Sequence, residues 1–374
     1  MSVFLRFDHW MRRTALPLWL GAGIEREGPF RGRFHERLGF DGVPDVRANR
    51  RTRVQARQLF VACTAAARQA HPEARDLASA CLDQMIARHH AGAGRWLFST
   101  DAQGRPAGAG PDLYDHAFVL FALGHGARVL GRADAMALAH QTQSYLDQAM
   151  ASASGGWHES LPPALPRRQN PHMHLLEAYL ALMAASAEGP DAPEHWRSLA
   201  ARVIALMNTR LFDAGHGVLR EFFEDDWRPR PPPEGDIIEP GHHFEWVWLL
   251  HQARAAGLDV DGAIAERLYD SALRHGCDDQ GRVLDAINPA CKVTDRGRRL
   301  WGQCEAVKAH LVRGQGDRAE RTLAALMDSH LDTDVPGLWC DHFYEDGSCR
   351  DGFVPASSLY HLVMMWDEIG KAGQ

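Results

Sequence analysis

Histidine can both take and give a proton near neutral pH, and this sequence sets several histidines inside apolar helical patterns. "NPHMHLLEAYLAL" carries Asn170, His174 and Glu177; "PGHHFEWVWLL" carries His242, His243 and Glu245; "PASSLYHLV" holds Tyr360 and His361. His174 with Glu177, and His242 with Glu245, stand three residues apart, so each pair shares a helical face. A carboxylate beside an imidazole fixes its tautomer and raises its pKa, which suits proton transfer. Adjacent helical residues point about 100° apart, so His242 and His243 cannot both face one target. Arg57, Tyr114, His116, Gln303 and Glu305 are further polar residues embedded in apolar runs.

"HMH" and "HH" raise the question of a metal. No HExxH is present and no spacing puts three ligands on one element, so neither a metal nor another cofactor is expected.

The elements that must position these residues repeat. A pattern of glycine, any residue, an apolar residue, any residue and an acid recurs as "GRFHE" at Gly32, "GGWHE" at Gly155, "GVLRE" at Gly217, "GRVLD" at Gly281 and "GLWCD" at Gly337. "GRWLF" at Gly94 keeps the glycine but has Phe98 in place of the acid. Neighbouring copies are 56 to 64 residues apart. Between them lie two kinds of helical pattern. Amphipathic stretches such as "DGAIAERLYDSALRHG" alternate with more apolar ones such as "DLYDHAFVLFALGHGARVL". That gives about twelve helices in six pairs, the apolar set inside. The fold expected is all-α, an (α/α)6 barrel formed by residues 1–374 as one domain, with short β-hairpins and long loops over one end. "LPPALPRRQNP" and "DDWRPRPPPEGDIIEP" fall within units, as loops over the mouth, and Arg228–Pro233 is a candidate lid.

If the units are equivalent, the starts of the inner helices meet at one end, and the polar residues above converge there. The recurring acids Glu36, Glu159, Glu221, Asp285 and Asp341 raise a second chemistry, the carboxylate pair of a glycoside hydrolase. Their presence in nearly every unit argues instead for capping inner helices or bonding sugar hydroxyls.

A net charge of −7 on 374 residues gives no support to nucleic-acid binding. No apolar run approaches membrane-spanning length, and the first residues lack the order of a secretory signal, so a cytoplasmic protein is expected. Seven cysteines without a CxxC suggest reduced thiols rather than a disulfide framework. Trp10 and Trp19 on the first helix could face the core or a partner, in a monomer or a small homo-oligomer.

With "VQARQLF", "LYDHAFVLFAL", "NPHMHLLEAYLAL", "PGHHFEWVWLL", "RLWGQCEAVKA" and "PASSLYHLV", the whole chain resembles the N-acylglucosamine 2-epimerase superfamily, and most closely its mannose isomerases. The resemblance implies the same barrel and a metal-independent acid–base reaction on a monosaccharide by His242 and His361. It places Arg57, Tyr114, Asn170 and His174 in the pocket, with Glu177, Glu245, Trp301, Gln303 and Glu305 alongside. Interconversion of D-mannose and D-fructose is the expectation, with D-lyxose and D-xylulose as a side reaction. A 2-epimerase of N-acylglucosamine or cellobiose, a glycoside hydrolase and a non-catalytic binding barrel are the alternatives.

Overall fold

The computed structural model describes residues 2–187 and 193–373. Its first helix, α1, runs Val3–Trp10 and continues through a π turn, Met11–Ala15, into Leu16–Trp19. The others are α2 (Thr52–Ala67), α3 (Ala74–His89), α4 (Leu113–Leu130), α5 (Ala133–Tyr145), α6 (Gln169–Ala187), α7 (Glu194–Leu206), α8 (Pro240–Ala255), α9 (Gly262–His275), α10 (Leu300–Val312), α11 (Gly316–Met327) and α12 (Leu359–Ala372). The even-numbered helices from α2 to α12 pack side by side, and α12 returns to α2, so the inner ring closes. This is an (α/α)6 barrel.

Sequence explains which helix lies where. α4 is apolar around most of its circumference and buries nearly all of it; its N-cap Asp112 accepts from Asp115 N, and Gly131, at φ 72°, ends it. α9 buries only the stripe Ile264, Leu268, Tyr269, Ser271 and Ala272, as an outer helix should. α1, packed on α11 and α12, completes the outer layer.

The recurring glycine pattern links each outer helix to the next inner one. All six pattern glycines have positive φ. At Gly94 a Cβ would also come within 2.1 Å of Gln141 O, so no side chain fits there. Two residues on, the backbone N–H donates into the following inner helix. Phe34 N–H meets Gln55 Oε1 (2.9 Å), Trp96 N–H meets His116 Nε2 (3.2 Å), and Trp157 N–H meets His172 Nε2 (3.1 Å). Leu219 N–H meets His243 Nε2 (3.0 Å) and Val283 N–H meets Gln303 Oε1 (2.9 Å). Burial lowers the pKa of His116 and His243 to about 4 and that of His172 to about 3. These imidazoles are therefore neutral acceptors of a buried amide. The acids of the pattern then take the N–H just ahead of the inner helix: Glu36 from Arg51 (3.0 Å), Glu159 from Arg168 (2.9 Å) and Asp285 from Arg299 (3.0 Å).

Strands are two or three residues long and form no closed sheet among the described residues. Arg37–Leu38 pairs antiparallel with Val354–Pro355, lacing the first unit to the last. There Trp19 stacks on Trp339 with ring centroids 4.9 Å apart and donates from Nε1 to Gly337 O (3.1 Å). The expectation of reduced thiols throughout is corrected at one place. Cys340 and Cys349 form a disulfide, because the antiparallel approach of Phe343 and Cys349 brings their Cα atoms to 5.9 Å. Cys63, Cys81, Cys277, Cys291 and Cys304 are free. No described helix is long and apolar enough to cross a membrane.

Candidate active site

At the N-terminal ends of the inner helices a cavity of about 340 Å³ opens. Every inner helix sends a residue into it from its first two turns: Arg57, Tyr114, Asn170 with His174, His242 with Glu245, Trp301, and His361. The connecting loops add Glu239, Arg299, Asp341, Ser357 and Ser358. Six helix N-termini converging on one point favour negative charge there.

His242 and His361 face this cavity from different elements, and both imidazoles pack on Trp301, at centroid distances of 4.8 and 5.9 Å. Gly241 makes that possible: a Cβ there would stand 2.6 Å from the Trp301 ring.

The two rings are held differently. His242 donates from Nδ1 to Glu221 Oε2 (3.0 Å), with Glu239 Oε2 at 3.5 Å. Burial alone would push its pKa down, but Glu221 and then Glu239 overcome it and hold the ring at about 9, so His242 is an imidazolium at neutral pH. Asn170 Nδ2 lies 3.1 Å from Nε2 while Asn170 Oδ1 has no partner. An imidazolium accepts nothing, so the charged ring requires the amide turned end for end, with Oδ1 on Nε2–H. His361 donates from Nδ1 to Glu305 Oε1 (2.8 Å), and burial, only partly opposed by Glu305, lowers it to about 4. Its Nε2 lone pair is free at neutral pH. The two rings are thus pushed towards opposite protonation states.

Arg57 lies close to the rings of Phe118, Tyr360 and Tyr114, donating to Tyr114 Oη (2.7 Å) and Ser357 O (3.3 Å). His174 donates from Nδ1 to Glu177 Oε2 (3.0 Å), and Tyr360 donates to the other oxygen of the same carboxylate. Glu245 is fully buried, and burial and then Glu305 push its carboxyl well above the usual carboxylate range. Asp341, raised to about 6 chiefly by burial, presents an unpartnered Oδ1.

Several expectations need correcting. The carboxylates of His242 are Glu221 and Glu239, not Glu245, whose nearest imidazole is His174 at 4.0 Å. Glu177 and Glu305 do not line the cavity; they stand behind His174 and His361. Gln303 and His116 are absent from the lining because both are engaged by backbone amides of their connecting turns. Arg228–Pro233 contributes nothing to the lining. Sequence reasoning missed Glu239, Arg299, Ser357 and Ser358, and did not separate Glu221 and Asp341 from the other recurring acids. The recurrence itself hid them, since one pattern serves both capping and the site.

Glu245, Glu305 and His361 bring three potential metal ligands within 4.8 Å of one another. A cation already stands there: Lys308 Nζ is 2.7 Å from Glu305 Oε2. The other such cluster, Cys340, Cys349 and Asp351, has both sulfurs tied in the disulfide.

Sequence comparison places the barrel in a class, the sugar isomerases and epimerases. Residues 32–365 match the family described as N-acylglucosamine 2-epimerase (GlcNAc 2-epimerase), and the chain belongs to that family. It is 36% identical to a mannose-6-phosphate isomerase of Rhizobium meliloti, over 95% of this chain and 93% of that one. It is 28% identical to a D-mannose isomerase of Thermobifida fusca, over 83% and 82% of the two chains. Among solved structures, the cellobiose 2-epimerase of Spirochaeta thermophila superposes with a TM-score of 0.85 at 22% identity, covering 99% of this chain and 96% of that one. The protein is an enzyme of the sugar isomerase and epimerase class.

Proposed function

We propose that the chain works as one catalytic barrel that interconverts D-mannose and D-fructose, with D-lyxose and D-xylulose as a slower pair. The observation that carries this reading is two imidazoles facing one small cavity, each held from behind by its own carboxylate. A volume of about 340 Å³ lies at the lower end of ligand cavities and suits a single sugar ring.

After ring opening, His361 Nε2 takes the C2 proton of the aldose. The C2–H electron pair forms the C1=C2 bond, and the carbonyl electrons move to O1, which takes a proton from His242. The resulting enediol passes its O2 proton back to His242, while C1 receives the proton carried by His361, and the ketose forms. Arg57, oriented by Tyr114 and Ser357, offsets the charge that develops on the oxygens. Asn170, His174, Glu239, Arg299 and Asp341 are positioned to bond sugar hydroxyls. Return of a proton to the opposite face of C2 would instead give the epimer.

A second reading, a 6-phosphorylated mannose as substrate, is favoured by the name of the Rhizobium relative and by Arg299, whose guanidinium comes no nearer to a carboxylate than the 4.0 Å to Glu239. Incubation in deuterium oxide with mannose, mannose 6-phosphate, N-acetylglucosamine or cellobiose, read by NMR, separates these readings. Ketose formation from mannose supports the first, and exclusive turnover of the phosphate ester supports the second. Epimer without ketose would replace both. His242→Asn and His361→Asn should each abolish turnover with the helical spectrum intact; near-normal rates in either would reject the assignment.

A further inference from the structure

Lys308 is fully buried on α10, one helical turn beyond Glu305, and does not line the cavity. Its ammonium stands 2.7 Å from Glu305 Oε2, off the angle of an aligned hydrogen bond, and 3.9 Å from the centroid of the Trp248 ring. Glu305 is equally buried, and its other oxygen receives His361 Nδ1–H at 2.8 Å. The chain of contacts therefore runs Lys308, Glu305, His361, cavity. His242 has two carboxylates within 3.5 Å and, among the described residues, no buried ammonium paired with them.

We propose that Lys308 is the positioning residue that makes His361 the base: by pairing with Glu305 it lets that carboxylate grip His361 Nδ1–H while adding no net charge behind the ring. This rests on the acid–base reading above. A buried glutamate with no counter-ion either takes a proton itself or drives one onto its imidazole partner. In both cases the pair binds a proton that the native pair does not, and Nε2 stops being a ready acceptor. With Lys308 in place, Glu305 is held ionised below the usual range against the effect of burial. The other charged and titratable groups around the pair are Glu245 from α8, Glu177 from α6, Tyr360 from α12, Arg57 from α2 and the buried thiol of Cys304 on α10 itself. Glu245 and Glu177 are acids, the latter bound to His174 and Tyr360, and Arg57 is engaged by Tyr114 and Ser357, so none substitutes for Lys308.

The test is the pH profile of kcat/KM for mannose with Lys308→Met and with the double variant Glu305→Gln/Lys308→Met. In Lys308→Met the acidic limb should move up by at least about one pH unit, with rate regained at higher pH. The double variant removes both charges and leaves an amide oxygen to accept Nδ1–H, so its limb should return close to that of the native enzyme. An unmoved limb in active Lys308→Met, or a shift that persists in the double variant, would overturn the proposal, since a merely structural lysine predicts either. Should the single variant fail to fold, ¹⁵N-histidine spectra of the native protein decide, with His361 assigned by its loss in His361→Asn. A neutral Nδ1–H tautomer at pH 7 supports the proposal and an imidazolium overturns it. Absence of turnover by the native enzyme with any sugar would instead reject the functional reading, and comparing the His361 signals of Lys308→Met with those of the native protein would then judge Lys308 alone.

Discussion

Glu221 and Glu239 both lie against His242, with Arg299 no nearer than 4.0 Å to Glu239, whereas the carboxylate that holds His361 is shared with buried Lys308 at 2.7 Å. One side chain thereby acquires two chemistries, and the pH dependence follows. His361 must be neutral, so kcat/KM should fall as pH drops through about 4. His242 must be protonated, so it should fall again as pH rises through about 9. Initial rates across that range should trace a bell with a broad plateau; a single limb would show that only one of the two titrates in the reaction. Glu221→Gln removes the carboxylate bonded to His242 Nδ1. The alkaline limb should then move down by about one pH unit or more while the acidic limb stays. Movement of the acidic limb instead would mean the two roles are exchanged.

The turn between each outer and inner helix is the element that sets the register of the barrel. In five of the six its buried amide reaches a glutamine or histidine on the inner helix, and at Glu36, Glu159 and Asp285 its acid takes the N–H just ahead of that helix, which helps fix the height of the side chains in the first two turns. His116→Leu keeps the volume but strands Trp96 N–H, while the carbonyl of Asp112 keeps the backbone N–H of residue 116. Unfolding in urea should show a loss of about 1–3 kcal/mol, with kcat little changed. A large fall in kcat at unchanged stability would assign His116 to the chemistry instead. The spacing of His116, His172, His243 and Gln303 was readable in the sequence; their use as amide acceptors was not, because an apolar helix looks the same whether a polar residue faces a cavity or a neighbouring loop.

Closure of the ring decides which residues meet. Arg57 and Ser357 are 300 residues apart and share a hydrogen bond, and Tyr360 reaches Glu177 across 183 residues. The seam between first and last units is held by the Trp19–Trp339 stack and by the pairing of Arg37–Leu38 with Val354–Pro355. Trp19→Ala should cost about 3–5 kcal/mol, as for other buried aromatics, and should loosen the loop carrying Asp341. Melting and mannose kinetics together check this, with Tm lowered and KM raised more than kcat is reduced. An unchanged KM would show that the seam does not support the site.

Helical periodicity and the recurring glycines determined the helix count, the inner and outer sets and the end at which the site lies. All of these depend on neighbours within one unit. The imidazoles themselves stood out for the same reason, as polar breaks in apolar runs. Which carboxylate serves which histidine was decided only by the folded barrel. Glu221 reaches His242 across a loop, and Glu305 reaches His361 from the next helix. Proton affinity depends on charges a few ångströms away in space, whatever their distance along the chain.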